Sequence, residues 1–158
     1  MTNAVEWRDW GVDDLTVRSL YEILRLRNQV FIVEQSCPYQ DIDGQDLTPG
    51  HRHIVACRHG QLLAYARLLA PTPEREAVAI GRVIVSAEAR GQKLGYQLMA
   101  QALSACSRHW PQRPCYLSAQ AHLQDFYRHL GFVAVGEVYD EDGIPHIDMF
   151  LSAPPSAG

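Results

Sequence analysis

The sequence has no apolar run of membrane-spanning length, no Cys-x-x-Cys pair and no excess of basic residues. Each shortage narrows what the protein does. A membrane helix needs about 20 consecutive apolar residues, so no membrane partner is expected. The N-terminus carries no basic stretch followed by an apolar core, and no secretory signal is expected either. A formal charge of −4 argues against nucleic acid as a partner, because surfaces that neutralise phosphates are basic. The four cysteines, Cys37, Cys57, Cys106 and Cys115, are scattered and read as reduced thiols of a cytoplasmic protein. His51 and His53 place two imidazoles on one side of a strand, but no second ligand pair follows, so no metal is expected. Neither Gly-x-x-x-x-Gly-Lys-Ser/Thr nor Gly-x-Gly-x-x-Gly occurs, which disfavours a nucleoside triphosphate or a dinucleotide.

What is present describes one globular domain. The chain has 158 residues, 47% of them hydrophobic and 20% charged, enough to bury a substantial core. Residues 1–151 read as that domain and 152–158, small residues and proline, as a flexible tail. Val5 to Trp10 alternates as a first strand. Asp13 and Asp14 are placed to cap a helix whose apolar stripe is Leu15, Leu20, Ile23, Leu24 and Leu26. The helical pattern runs on to about Gln35 with a break near Arg27. Ser36 to Gly50 is a long polar loop with three acids, Asp41, Asp43 and Asp46. His53–Arg58 and Gln61–Leu69 form a hairpin around His59-Gly60, and Ala77–Val85 is the next strand. A helix runs from about Gly91 to before Pro111, then a short strand Cys115–Ala119 and a helix Leu123–Leu130 closed by Gly131. Phe132–Tyr139 and Ile144–Leu151 flank a turn at Asp140-Glu141-Asp142-Gly143. The order β-α-β-β-β-α-β-α-β-β predicts a mixed α/β sheet with helices on its faces.

The stretch Gly81–Ala100 carries the chemical signal. A β-branched strand, Val83-Ile84-Val85, leads through Arg90-Gly91-Gln92-Lys93-Leu94-Gly95 into a helix with Leu94, Leu98, Ala102 and Cys106 on one face. The first amides of a helix lack internal partners and the dipole is positive there, so such a start suits an anion. An ordinary strand-to-helix connection shares the pattern. The residues alone point to a phosphate-bearing ligand.

Three features together resemble the GNAT superfamily of N-acetyltransferases, over essentially the whole chain. Val85 followed by Arg90-Gly91-Gln92-Lys93-Leu94-Gly95 is similar to the family's acetyl-CoA pyrophosphate motif, Arg/Gln-x-x-Gly-x-Gly/Ala. Phe126-Tyr127-Arg128-His129-Leu130-Gly131-Phe132 looks like its second motif, Phe-Tyr-x-x-x-Gly-Phe. The element order is the third. Arg27–Gln35, Cys37–Gly44 and Asp142–His146 resemble the ElaA-like branch. The resemblance implies a GNAT fold: a twisted, mostly antiparallel sheet of about six to seven strands flanked by about four helices. One departure is Lys93, where the family usually has its first glycine. Its ammonium either meets a phosphate or points to solvent.

The implied reaction is acetyl transfer from acetyl-CoA, the donor substrate, to a primary amine by direct attack. The resemblance assigns coenzyme A binding to Arg90, Gly91, Gln92, Lys93, Gly95 and Tyr96, with Val83, Ile84 and Val85 presenting backbone donors to the thioester. Gln120 stands where many relatives contact the pantetheine arm with Asn. Tyr127 matches the acid that protonates the leaving thiolate. The amine needs a proton acceptor, for which Glu34 and then His53 are the leading candidates and His146 and His122 weaker ones. The loop also resembles that of acyl-homoserine lactone synthases, which share the core. Arg27, Phe31, Asp41, Asp43, Asp46 and Arg67 are therefore expected on the acceptor side, with Asp43 paired to Arg67 or Arg27 and spare negative charge left for an amine. Three functions follow: an acetyltransferase, an acyltransferase with another acyl donor, or a coenzyme A-binding protein with little turnover. The acceptor is a small molecule or peptide amine, and relatives suggest a homodimer.

Overall fold

The computed structural model describes residues 4–153. Seven strands form one sheet in the order β1-β2-β3-β4-β5-β7-β6. The strands are β1 (Glu6–Trp10), β2 (Arg52–Arg58), β3 (Gln61–Leu69), β4 (Val78–Val85), β5 (Cys115–Gln120), β6 (Val133–Glu141) and β7 (Ile144–Leu151). Three α-helices accompany them: α1 (Val17–Arg27), α2 (Leu94–His109) and α3 (Gln124–His129). All neighbouring strands are antiparallel except β4 and β5. This is the mixed, mostly antiparallel sheet expected. Residues 154–158, most of the expected tail, lie outside the described residues.

Local chemistry explains the boundaries. Asp13 and Asp14 sit in a short 3-10 turn, and the cap of α1 belongs instead to Thr16, which exchanges hydrogen bonds with Ser19 at 2.8 and 3.0 Å. The break near Arg27 is a change of helix type, because Asn28–Glu34 continues as a π-helical turn. The π-turn shifts the helical phase and brings Phe31 and Glu34 to one cleft wall. His59-Gly60 and Asp142-Gly143 both take positive φ at two successive residues, the geometry that two-residue hairpins favour. Helix α2 starts later than expected, at Leu94, because Gly91 and Lys93 are left-handed at φ +84° and +60°.

The sheet buries both faces of its central strands. Leu94, Leu98, Met99, Ala102 and Cys106 of α2 pack on Ile54, Ala64, Leu68, Val78 and Ile80. On the opposite face Ile23 and Val30 pack on Val55, Tyr65 and Ile84. Ile80 and Ile84 would share a face in a regular strand. They do not, because β4 carries a bulge: Tyr65 pairs with Ile84 but Arg67 with Gly81, leaving Arg82 and Val83 opposite one residue. Arg82 takes φ +53° at this point. The bulge keeps its guanidinium out of the α2 core and turns it toward the acidic loop.

Candidate active site

Strands β4 and β5 pair only at Val78↔Cys115 and Ala79↔Tyr116. Beyond that point they part, and a cleft of about 820 Å³ opens between them. Ile80–Val85 line one side and Leu117–Gln120 the other, so the strand backbone at the gap has no strand partner there. Arg90 and Gly95 close the cleft at the start of α2, where a smaller hollow of about 330 Å³ also touches Gly91, Lys93 and Tyr96.

This helix start is uncapped by any side chain, and its first helical amide bond runs from Gln97 to the Lys93 carbonyl at 3.4 Å. The amides before Gln97 are the free donors an anion needs. Gly95 has an ordinary backbone, and a Cβ added there would meet Phe126 at no closer than 3.5 Å, a normal contact. Nothing in the chain's own packing demands glycine at this position. The open space above it fits a ligand lying against the backbone.

Tyr127 enters the same cleft from α3. Phe126 and Phe132 hold its ring edge-on at 5.0 and 6.0 Å, and its hydroxyl makes no hydrogen bond to another described residue. Burial pushes the phenol up to about 12, so it stays protonated at neutral pH. Across the cleft Gln120 donates to Gln35 at 3.3 Å, tying β5 to the end of the π-turn.

The family model described as "Acetyltransferase (GNAT) domain" matches residues 20–153. Protein ElaA of Escherichia coli is 56% identical over 145 residues, 92% of this chain and 95% of its own length. Among solved structures, an acyl-CoA N-acyltransferase from Pseudomonas aeruginosa superposes at a TM-score of 0.91 with 54% identity, over 94% of this chain and 100% of that one. The structure of Escherichia coli ElaA superposes at 0.90 with 53% identity and the same coverage. The chain belongs to the GNAT acetyltransferase family. Its seven-stranded mixed sheet with flanking helices is the GNAT fold.

Behind the β4 side of this cleft lies a buried ion network. Arg27 Nε bonds Asp41 at 3.0 Å and Nη1 bonds Asp46 at 2.5 Å. Arg67 grips Asp43 through both Nη atoms at 2.9 Å and reaches Asp46 at 3.1 Å. Arg82 pairs with the Asp41 carboxylate at 2.8 Å and donates from Nη2 to the Asp41 carbonyl at 2.9 Å, while its guanidinium lies over the Tyr39 ring. Burial alone would raise the Asp43 carboxyl, but the Arg67 hydrogen bonds outweigh it and hold Asp43 at about 2. Asp46 is likewise pulled below its ordinary value, by Arg27 and Arg67 against its burial.

Several expectations are corrected by these positions. Three arginines match three aspartates, so the loop keeps no spare negative charge for an amine. Arg27 is fully buried beneath the loop, and Arg27, Asp41, Asp43 and Asp46 do not line the cleft; they shape it, while Phe31 and Arg67 face it. His53 cannot reach a substrate. It is 0% exposed, with Nε2 donating to the Asp46 carbonyl at 2.9 Å and Nδ1 accepting from Tyr65 at 2.6 Å. Gln92 also lies off the cleft and accepts from Arg58 at 3.2 Å. Val83, Ile84, Val85, Arg90, Gly95, Gln120 and Tyr127 are brought together as expected, and Glu34 joins them. Glu34 is paired with Arg90 at 2.7 Å. The sequence reading missed Arg82, Tyr39 and Gln35. A charged residue inside the apolar run Val78–Val85 was the available sign for Arg82.

Proposed function

We propose that the protein is an acetyl-CoA-dependent N-acetyltransferase acting on a primary amine. The carrying observation is the opening of one cleft at three features: the uncapped start of α2, the unpaired edge of β4 and the free hydroxyl of Tyr127. The relative from Pseudomonas aeruginosa, described as an acyl-CoA N-acyltransferase, supports the same class of donor.

In this reading the amides at the start of α2, with Arg90, Gly91, Lys93 and Tyr96 around them, hold the donor's pyrophosphate. Lys93 adds a point charge beside the left-handed turn it occupies. Gln120 steadies the pantetheine arm. The β4 edge from Val83 to Val85 donates to the thioester oxygen as it gains charge; a donor so placed supplies roughly 3 kcal/mol of barrier reduction in comparable sites. The acceptor nitrogen forms its bond to the carbonyl carbon, the C–S bond breaks, and Tyr127 gives its proton to the departing thiolate. The new amide nitrogen's remaining excess proton restores the phenol.

The test is thiol release from acetyl-CoA over a panel of amines, with Tyr127→Phe beside the parent. Tyr127→Phe is expected to lower kcat by about 100-fold, the low end of general-acid effects, without changing the melting-temperature rise that coenzyme A produces. Turnover with longer acyl donors but not acetyl would replace the donor assignment. A rise with coenzyme A but no turnover of any amine would leave a binding protein. No rise at all would remove the donor site itself.

A further inference from the structure

We propose that His146, backed by Glu141, takes the proton from the acceptor's ammonium. The assignment rests on the transferase reading above and names the proton acceptor that reading lacks. His146 stands on β7 directly opposite Gln120 of β5 and lines the cleft at 9% exposure. It is therefore one strand removed from the residue assigned to the donor's arm.

Hydrogen bonding decides which ring nitrogen is free. Nδ1 lies 2.7 Å from the Ile144 carbonyl oxygen, which can only accept, so Nδ1 carries the hydrogen. A neutral imidazole then keeps its lone pair on Nε2. That atom sits 3.4 Å from a Glu141 carboxylate oxygen, another acceptor. The two have no hydrogen between them until a proton arrives, and a proton on Nε2 makes a charge-assisted bond to Glu141. Tyr139 stacks on the ring at 6.2 Å and 27°, which fixes its plane. Imidazole is the side chain whose ordinary titration falls nearest neutrality, as proton exchange with an alkyl ammonium requires.

The other groups are engaged or remote. Glu34 is tied to Arg90, His53 is sealed beneath the loop, and His122 is exposed at the cleft edge. Charges facing the same end of the cleft come from each neighbouring element. Glu141 belongs to β6 and Asp142 to the following turn, anchored by the Cys37 thiol at 3.1 Å. Asp148 lies two residues along β7 and accepts from the hydroxyls of Tyr116 and Tyr139 at 3.1 and 2.6 Å. Arg82 of β4 is matched by Asp41.

The proton balance closes. One N–H bond of R–NH3⁺ breaks and its proton goes to Nε2, freeing the lone pair that forms the C–N bond. Tyr127 serves the thiolate as described, and the imidazolium releases its proton to water after the amide leaves. The sum is ammonium plus thioester giving amide, thiol and one proton.

The test uses the best alkylamine from the panel and its aminooxy analogue, whose nitrogen is already uncharged at neutral pH. His146→Gln is expected to lose about 100-fold in kcat/KM with the alkylamine but less than about 10-fold with the aminooxy compound. Its alkylamine profile is expected to rise with pH in step with the free amine. Glu141→Gln should lose a smaller part of the alkylamine rate and little of the aminooxy rate. Both variants should keep the melting-temperature rise with coenzyme A. Equal losses on both acceptors, a parent-like rate in His146→Gln, or the same acceptor-selective loss in Glu34→Gln instead would overturn the assignment. A parent that turns over no amine while still binding coenzyme A sinks the transferase reading first, and this assignment with it.

Discussion

The two walls of the cleft follow opposite electrostatic plans. On the wall made by α1, the acidic loop and β2–β4, Arg27, Arg67 and Arg82 are matched against Asp41, Asp43 and Asp46, and His53 uses both ring nitrogens. On the wall made by β5, β7, β6 and α3, Asp148 is engaged by Tyr116 and Tyr139, but two groups keep an atom unused. Tyr127 has a free hydroxyl, and His146 has one anchored nitrogen and one lone pair facing a carboxylate. The first wall has its charges matched and provides shape, with Asp46 Oδ2, Arg67 Nε and Arg82 Nε buried without a hydrogen bond. In the proposed reaction the two groups with an unused atom on the second wall move the protons.

Breaking the first wall should have the largest effect on folding. Arg27→Ala takes one of two arginines from each of the buried carboxylates Asp41 and Asp46, leaving them to Arg82 and Arg67, and breaking a buried pair typically costs about 3–5 kcal/mol. Urea unfolding is expected to show that loss, whereas Glu141→Gln on the second wall, half exposed, should change stability by less than about 0.5 kcal/mol. Equal losses at the two positions would erase the contrast.

Acid should act next, and on the same wall. His53 is held below its ordinary value of 6.5 by burial. Asp43, where burial raises the carboxyl but Arg67 pulls it down further, sits at about 2 against an ordinary 3.8. In both cases the unfolded chain binds more protons as pH falls, so stability is complete above the unfolded values and declines below them. The urea midpoint is expected to drop in two stages, first as pH passes below 6.5 and again between about 4 and 2. Asp43→Asn should flatten the second stage.

The smallest effect is expected at Lys93, in the smaller hollow at the start of α2. A non-glycine residue at φ +60° is strained by about 1 kcal/mol, so Lys93→Gly should leave stability within about 1 kcal/mol of the parent. If the ammonium meets a phosphate, coenzyme A affinity should fall several-fold and lose part of its salt dependence. Unchanged affinity would place the side chain in solvent.

Much of the fold was legible because its signals are local. Alternation marked the strands, His59-Gly60 and Asp142-Gly143 marked the hairpins, and Gly131 marked the end of α3. The break at Arg27 was visible as a lapse in helical phase, though not as a π-turn. The cap was misassigned to Asp13 and Asp14 because Thr16 and Ser19 compete for the same role two residues later. At the cleft, Arg90, Gly95 and Tyr127 were named from the resemblance to the family's motifs, and the structure gathers them on one cleft. Which of Glu34, His53 and His146 faces the cleft with a free atom was not, since each is the same residue type whether sealed, paired or open.

By itself the sequence determined the elements, the family and the glycine-bearing start of α2, because these depend on residues close together along the chain. Only the tertiary structure decided what the charged residues do. The bulge at Arg82 reverses the facing of β4, and the loop folds back so that Asp41, Asp43 and Asp46 meet arginines from three different elements. Those pairings span long separations in sequence, and a charge shows its role only once its partner, its burial and the direction of its free atom are in place.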